Sequence, residues 1–520
     1  MKIKAAFILS LLTLMLCACG KSSPTAPATS ETESPAATAA PVGAPASDAL
    51  ETLSLYKDIQ FYEDRQGDML LCRVEYPVLM MDSSQSGSYA VADSLDAFNA
   101  TLAAQASESY SRLLNSVMAD IELNTDNAGG YYSKTDIFVP RADSLALSVL
   151  CRTESFSGGA QPSLSYSCVN FDSRTGRQLA LKNVTADAAA VTELVKAQLE
   201  KDYPKAKFYD LAAAMEQYAQ EPERYVWTLD YHGLSFYFAP YELAPYEEGS
   251  FTVGLRFADH PELFSLYYST RQPYSYAVPV IEGRCLNYDI DGDGISDLIR
   301  LNTNDDHGVI NRLDITAMDR SLSVNTLMEG LEAYVVYAGP SRNFLFINAH
   351  NAGGYGFISV YRLERSGISL VGMLYDTSLQ AAGFTPECAG IPLLTKPEKL
   401  LLGTKIELMG KLTGIKDYSF GSSGMPESPD EYYRVYANTT LTAEKDFATA
   451  AIDMHSGRGL NTAAQIKAGT RLFFHRSDGR SFVDMITEDG VCCRMYVSGK
   501  GQAQTVNAMP VTELFTGVVY

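Results

Sequence analysis

The 520-residue chain has no tract of basic residues: 41 lysines and arginines stand against 62 acids, a net charge of −21. With nothing to neutralise phosphates, nucleic acid is disfavoured as a partner. Nine cysteines are present but no Cys-x-x-Cys pair that could found a zinc site. Six histidines are present but no His-x-x-x-His pair. Nowhere does a nucleophile stand in a motif with its base, so the sequence specifies no reaction and reads as a non-enzyme. What remains is ordinary for a globular protein: 46% hydrophobic, 20% charged, and 32 tyrosines, which suit sheets better than helices. The length allows two to four domains.

Lys2 and Lys4 precede an apolar run, Ala5 to Leu16, that is too short to span a bilayer and has the pattern of a secretory signal. The run ends in Leu16-Cys17-Ala18-Cys19-Gly20, which resembles a bacterial lipobox. That resemblance implies a signal peptide over 1–18, cleavage before Cys19 and diacylation of its thiol. The mature protein would then be lipid-anchored on the extracytoplasmic face of the cell membrane, because two acyl chains suffice for stable anchoring where one does not. Residues 19–50 are rich in Ser, Thr, Pro and Ala and read as a disordered tether, since they offer too little apolar surface to offset their ordering entropy.

Seven cysteines follow Cys19 in a compartment that permits disulfides. Cys151 and Cys168 flank Gly158-Gly159-Ala160 symmetrically. A hairpin centred there sets them opposite each other, either bridged or as two buried thiols. Cys492 and Cys493 are adjacent and cannot easily bridge each other.

One stretch names a ligand. Asp289-Ile290-Asp291-Gly292-Asp293-Gly294-Ile295-Ser296-Asp297 offers the side-chain oxygens of Asp289, Asp291, Asp293 and Asp297 and the carbonyl of Ile295. Alternating oxygens in a tight loop fit calcium, which takes six to eight of them in a flexible shell. Gly294 permits the sharp turn, and four like charges this close repel one another when no cation is bound. Arg300 stands where an EF-hand needs a bidentate glutamate, and both flanks favour strand. The loop is instead similar to the strand-loop-strand calcium loops of FG-GAP propeller blades. A solvated acidic turn is the alternative.

The first domain is expected over 51–272. Met69 to Tyr76 alternates as a strand. Leu95, Phe98, Leu102, Ala106, Leu113 and Val117 recur at helical spacing behind a Ser94/Asp93 cap. Strands are expected over 144–154 and 164–171, a second helix after Thr185, a third from Asp210 to Tyr218, and strands over 225–229 and 234–238. Phe156-Ser157-Gly158-Gly159-Ala160, Val169-Asn170-Phe171-Asp172 with Thr175-Gly176, and Leu234 through Tyr246 with Gly249 together resemble the extracytoplasmic RsiV-type domain. That family includes lysozyme-sensing parts of anti-sigma factors and accessory domains of polysaccharide deacetylases. The resemblance implies an α+β fold, an antiparallel sheet with helices on one side, and binding rather than catalysis at the cell surface. Gln161 replaces the histidine usual after the Gly-Gly-Ala turn. Asp305-Asp306 is followed by His307 where the deacetylases have glycine.

A β domain carrying the calcium loop is expected over 273–390. About 115 residues cannot hold a propeller of at least four blades, so a small sandwich or one or two blade-like sheets is the more economical form. Residues 391–520 alternate in short strands, as at Arg471 to His475 and Phe482 to Ile486, which points to a small all-β barrel and loosely resembles SH3-type barrels. The multidomain chain is thus α+β first and mostly β after. It reads as a calcium-stabilised, membrane-anchored binding module for a lysozyme-like protein or for peptidoglycan, a cell-wall glycan. The alternatives are a structural envelope spacer or a wall-polymer hydrolase using carboxylates such as Glu242 and Glu247. His307 and His350 lie near turns with no nucleophile beside them in sequence.

Overall fold

The structure is a computed structural model that describes residues 50–123, 129–290, 293, 295, 297–306, 308–339, 342–351, 354–383, 385–386, 388 and 390–520. The expected signal, the Cys19 lipidation site, the tether, Asp291 and His307 lie outside this range. Among the described residues no helix is long and apolar enough to cross a membrane.

The described residues open with a long hairpin, β1 (Leu55–Gln66) and β2 (Met69–Met81). Helix α1 (Val91–Glu122) then buries Val91, Leu95, Leu102, Ala106, Leu113 and Val117, the stripe that the spacing predicts. It starts before the expected cap. Asp93 falls in its first turn, and the Ser94 hydroxyl donates instead to the Gly176 carbonyl at 2.7 Å. The helix returns the chain so that β3 (Tyr131–Ala142) pairs parallel with β2, a crossover that a tight turn could not make. β4 (Ala146–Phe156) and β5 (Ser163–Asp172) follow antiparallel. The first sheet is therefore antiparallel except at one pairing. Its order is set by β1 through β5, with Ile391–Pro392 on the outer edge of β1 and β5 at the opposite edge.

Helices α2 (Ala188–Asp202) and α3 (Leu211–Gln220) are capped by the Asp187 and Asp210 carboxylates. Thr185, just before the expected second helix, sends its hydroxyl to the Leu263 carbonyl at 3.0 Å. A second sheet of β6 (Val226–Leu229), β7 (Gly233–Phe238) and β8 (Phe251–Arg256) packs against these helices. Every residue of β7 is buried. Leu234, Phe236 and Phe238 face the helices, while Tyr237 packs with Leu150 of β4 and Ile281. Each fully buried phenylalanine contributes about 2–3 kcal/mol by removal from water.

The middle of the chain forms two sheets packed on a shared core, a sandwich, which is one of the two forms expected. β9 (Tyr276–Val280) joins a five-stranded sheet, and β10 (Cys285–Tyr288), β11 (Asp297–Asp306), β12 (Val309–Ala317) and β13 (Arg320–Met328) form a four-stranded meander. β14 (Gly330–Tyr337), β15 (Asn343–His350), β16 (Gly356–Glu364) and β17 (Gly367–Tyr375) complete the five-stranded sheet. Val278, Ile299, Leu301, Ile315, Val335, Leu345 and Ile347 fill the space between the two.

The C-terminal part departs from expectation. Its strands join one large sheet whose pairing path runs from Thr377–Ser378 to Gly459–Ile466, and among the described residues the two ends do not meet. No SH3-like barrel closes, because closure depends on tilt and register that short alternating strands leave unspecified. Two of its strands, Leu400–Glu407 and Lys411–Phe420, pair antiparallel. The chain reverses between them at Met409 and Gly410, both at positive φ.

Candidate functional site

The first sheet presents a patch of hydroxyls where α1 stops covering it. The helix lies mainly along β2, so beyond its apolar stripe the sheet face is open. There β3 offers Thr135 and the buried Ser133; β4 offers Thr153 and Ser155, and β5 offers Ser163 and Ser165. The register sets Ser133 beside Ser155 beside Ser163, and Thr135 beside Thr153 beside Ser165. The result is a grid with roughly 4.8 Å between columns and roughly 6.8 Å along each strand. The Ser133 and Ser155 hydroxyls lie 2.9 Å apart, as do those of Thr135 and Thr153. Gln105, Glu108, Ser109, Arg112 and Ser116 of α1 form the wall of a groove of about 540 Å³ over this floor. A hydroxyl both donates and accepts, so the grid can meet polar, uncharged groups in either sense. The groove lining contains no aromatic ring.

A signal for the groove is present in the sequence. Serine recurs at every second position through 163, 165 and 167, and Thr153 and Ser155 mirror it across the turn. Its meaning depends on which sheet face the helix leaves open. The turn itself uses Gly158 at φ 87°, where a Cβ would collide with the Tyr131 ring. Asn170 and Asp172, from the second family-like motif, are internal ties: the Asn170 amide accepts from Ser148 and donates to the Trp227 carbonyl at 3.0 Å, and Asp172 accepts from the Thr175 amide and hydroxyl at 2.9 Å.

Cys151 and Cys168 are free thiols and do not face each other. Cys151 pairs with Ser167, and Leu150 pairs with Cys168. The two cysteines are one residue out of step, so pleating turns them to opposite sheet faces. Cys151 joins the core beneath α1, and Cys168 packs with Tyr237 on the other side. Burial pushes their thiols up to about 12 and about 11, which leaves no thiolate at neutral pH.

The acidic loop lies between β10 and β11. Tyr288 and Ile290 are buried and anchor its entry, Asp289 is half-buried, and Asp293 and Ile295 are exposed. Asp297 Oδ2 accepts from the Ile290 amide at 2.9 Å, and Asp293 Oδ1 accepts from the Ile295 amide at 2.7 Å. Arg365, in the turn between β16 and β17, pairs with the second Asp293 oxygen. Asn343 donates to the Ile290 carbonyl, and its own Oδ1 is buried without a hydrogen-bond partner. These donors are all oxygen, the set a hard cation takes. Among the described residues no three His, Cys, Asp or Glu side chains converge on one point, and Asp291 is outside them.

Of the carboxylates and histidines considered for acid–base chemistry, Glu242, Glu247 and His350 are described. Glu242 accepts from the Tyr218 hydroxyl and from the Ala239 amide at 2.7 Å, closing the turn that puts Tyr241 at φ 69°. Glu247 lies in a short turn after Pro245. His350, half-buried at the end of β15, lies against Gly330, where a Cβ would meet its ring.

A buried polar cluster was not legible in the sequence. Arg141 and Asp143 are both fully buried and paired at 2.8 Å, and Arg141 also donates to the Tyr268 carbonyl at 2.9 Å. Asp230 accepts from the His232 and Gly233 amides at 2.7 and 2.6 Å. Burial raises the Asp230 carboxyl to about 6 and lowers His232 to about 4, the latter assisted by the Arg256 and Arg141 charges.

Residues 181–258, from the turn before α2 to just past β8, match the model of a family described as "Protein of unknown function (DUF3298)". Two solved structures of that family are similar over part of the chain. One, from Bacteroides fragilis NCTC 9343, is 17% identical with a TM-score of 0.32, covering 41% of this chain and 95% of that one. The other, from Pseudomonas aeruginosa PAO1, is 14% identical with a TM-score of 0.28, covering 42% of this chain and 97% of that one. No curated protein matches.

Proposed function

We propose that this chain is an extracytoplasmic, lipid-anchored binding module whose first domain receives a neutral cell-wall glycan of peptidoglycan type in the hydroxyl-lined groove. The observation that carries this reading is the grid itself: six hydroxyls on three rigid strands, beside a helix wall whose charges, Glu108 and Arg112, are of opposite sign. Sugar hydroxyls and acetamido groups need partners that donate and accept, and a serine–threonine floor supplies both. The lipobox-like segment supports the location. The acidic loop supports a calcium brace in the second domain, held by Asp289, Asp291, Asp293, the Ile295 carbonyl and Asp297. Calcium there would offset the repulsion of four carboxylates and fix the β10–β11 connection.

The net charge of −21 favours a second reading, a cationic protein of lysozyme type docking on the acidic surface. The hydrolase alternative could use carboxylates such as Glu242 and Glu247, and of these Glu242 also closes a turn.

Titration of the full chain with soluble peptidoglycan fragments and, separately, with lysozyme distinguishes these readings. The glycan reading expects fragment binding that Thr135→Val with Thr153→Val weakens at least tenfold, since the shape is kept and two hydroxyls are lost. Lysozyme binding that is salt-sensitive and indifferent to those substitutions would replace it with the protein reading. Binding of neither would leave a spacer and overturn both.

A further inference from the structure

Among the described residues β5 is an edge strand without the usual protection of an edge. Natural edges are blunted by lysine, by proline within the strand or by a bulge. Ser163-Leu164-Ser165-Tyr166-Ser167-Cys168 contains no charge and no proline, and its ladder with β4 runs without a register shift. Ser163, Ser165 and Ser167 are exposed, and the residues between them are half-buried.

The chain itself shows which groups point outward. Beyond Cys168 the same edge is covered: the Leu179 amide donates to the Asn170 carbonyl at 2.7 Å, and the Asp172 amide donates to the Arg177 carbonyl at 2.9 Å. Main-chain direction alternates along a strand. With 170 and 172 outward, Leu164, Tyr166 and Cys168 also present their amides and carbonyls to the open edge. The open stretch is bounded by Pro162, which has no amide to donate, and by the covered residues from Asn170 onward.

We propose that this edge pairs with its own counterpart in a second copy of the chain, antiparallel and with the two-fold axis at Tyr166. In that register Leu164 faces the second copy's Cys168, Tyr166 faces Tyr166, and Ser165 faces Ser167. Outward groups meet outward groups, and side chains of like kind share a face. The hydroxyl face continues across the axis, and so does the apolar face of Leu164, Tyr166 and Cys168. The lengths agree as well. The second copy's Ser163 arrives opposite Val169, and its Pro162 ends the strand where the Leu179 pairing begins. The pairing thus continues the strand addition that the chain already makes at Asn170. An uncharged strand with polar and apolar residues in strict alternation is the guest this edge fits, and β5 is itself such a strand. The Tyr166 hydroxyl is fixed by the Arg284 guanidinium at 2.8 Å, so the ring at the axis is positioned before pairing.

The test uses the full chain, in detergent and in membranes. Sedimentation over a concentration series should show a monomer–dimer equilibrium in the parent and at least a tenfold weaker one in Leu164→Pro, which deletes one outward amide while sparing the β4 ladder. Leu164→Cys should form a covalent dimer with the native Cys168 under mild oxidant in alkaline buffer, where the Cys168 thiol ionises, since hydrogen-bonded antiparallel partners lie about 5.5 Å apart at Cα, within disulfide reach. Adding Cys168→Ser should abolish that dimer. A parent that stays monomeric, a dimer unaffected by Leu164→Pro, or a Leu164→Cys cross-link that persists without Cys168 would each overturn the proposal. Far-UV circular dichroism identifies any variant that has failed to fold. In that case the cross-linking pair decides alone.

Discussion

His232 Nε2 lies 2.6 Å from the Tyr276 hydroxyl, which lies 3.0 Å from the hydroxyl of Tyr288. This buried chain joins the turn between β6 and β7 to the strand that leads into the acidic loop. It places a titratable imidazole between the β6–β8 sheet and the sandwich.

Two groups there oppose each other with pH. His232, lowered to about 4, is neutral in the folded protein, so its stabilisation is intact above the unfolded value near 6.5 and is lost as pH falls from there to 4. Asp230, raised to about 6, costs stability above that pH and is relieved as pH falls toward its unfolded value. Each effect amounts to about 3 kcal/mol. Asp230→Asn removes only the relief, so its melting temperature should fall more steeply than that of the parent between pH 6 and 4. Parallel melting curves across that range would refute the assignment.

Calcium should stabilise the chain through the acidic loop. At a free concentration a hundred times the dissociation constant, the gain is about 2.7 kcal/mol. Differential scanning calorimetry with calcium and with chelator should show the shift in the parent and its loss in Asp289→Asn with Asp297→Asn. An equal melting temperature in both buffers would leave the loop an acidic turn.

Arg141 and Asp143 are a buried ion pair, and breaking such a pair leaves an uncompensated charge. Asp143→Ala should therefore cost about 3–5 kcal/mol in urea unfolding. Replacing both partners, as Arg141→Met with Asp143→Leu, should recover much of that loss. If the double variant is as unstable as the single one, the hydrogen bonds to the Tyr268 and Asp230 carbonyls matter more than the charge.

Gly403 allows the strand Leu400–Glu407 to lie against the backbone of Ala381 and Ala382, where a Cβ has no room. Main chain cannot yield as a side chain can, so Gly403→Ala should destabilise by about 1–3 kcal/mol or more. Gly459, with open space around the same position, provides the control: Gly459→Ala should be near neutral in the same unfolding assay.

Much of the architecture could be read from residue order. The α1 stripe, the Gly158 hairpin and the strand character on both sides of the acidic loop follow from periodicity and turn chemistry, which act over a few residues. β3 was missed because Pro140 and the buried Arg141 break its alternation. β8 and β13 were missed as well.

The sequence by itself determined the α1 stripe and many of the strands, where the acidic oxygens lie, and that serine alternates along β5. Only the tertiary structure decided that α1 leaves those serines uncovered, that Cys151 and Cys168 point to opposite faces, and that the C-terminal strands spread into an open sheet. Local chemistry fixes the period of a side-chain pattern. The face it points to and the strand it meets depend on register and layer packing, which bring together residues far apart in the chain.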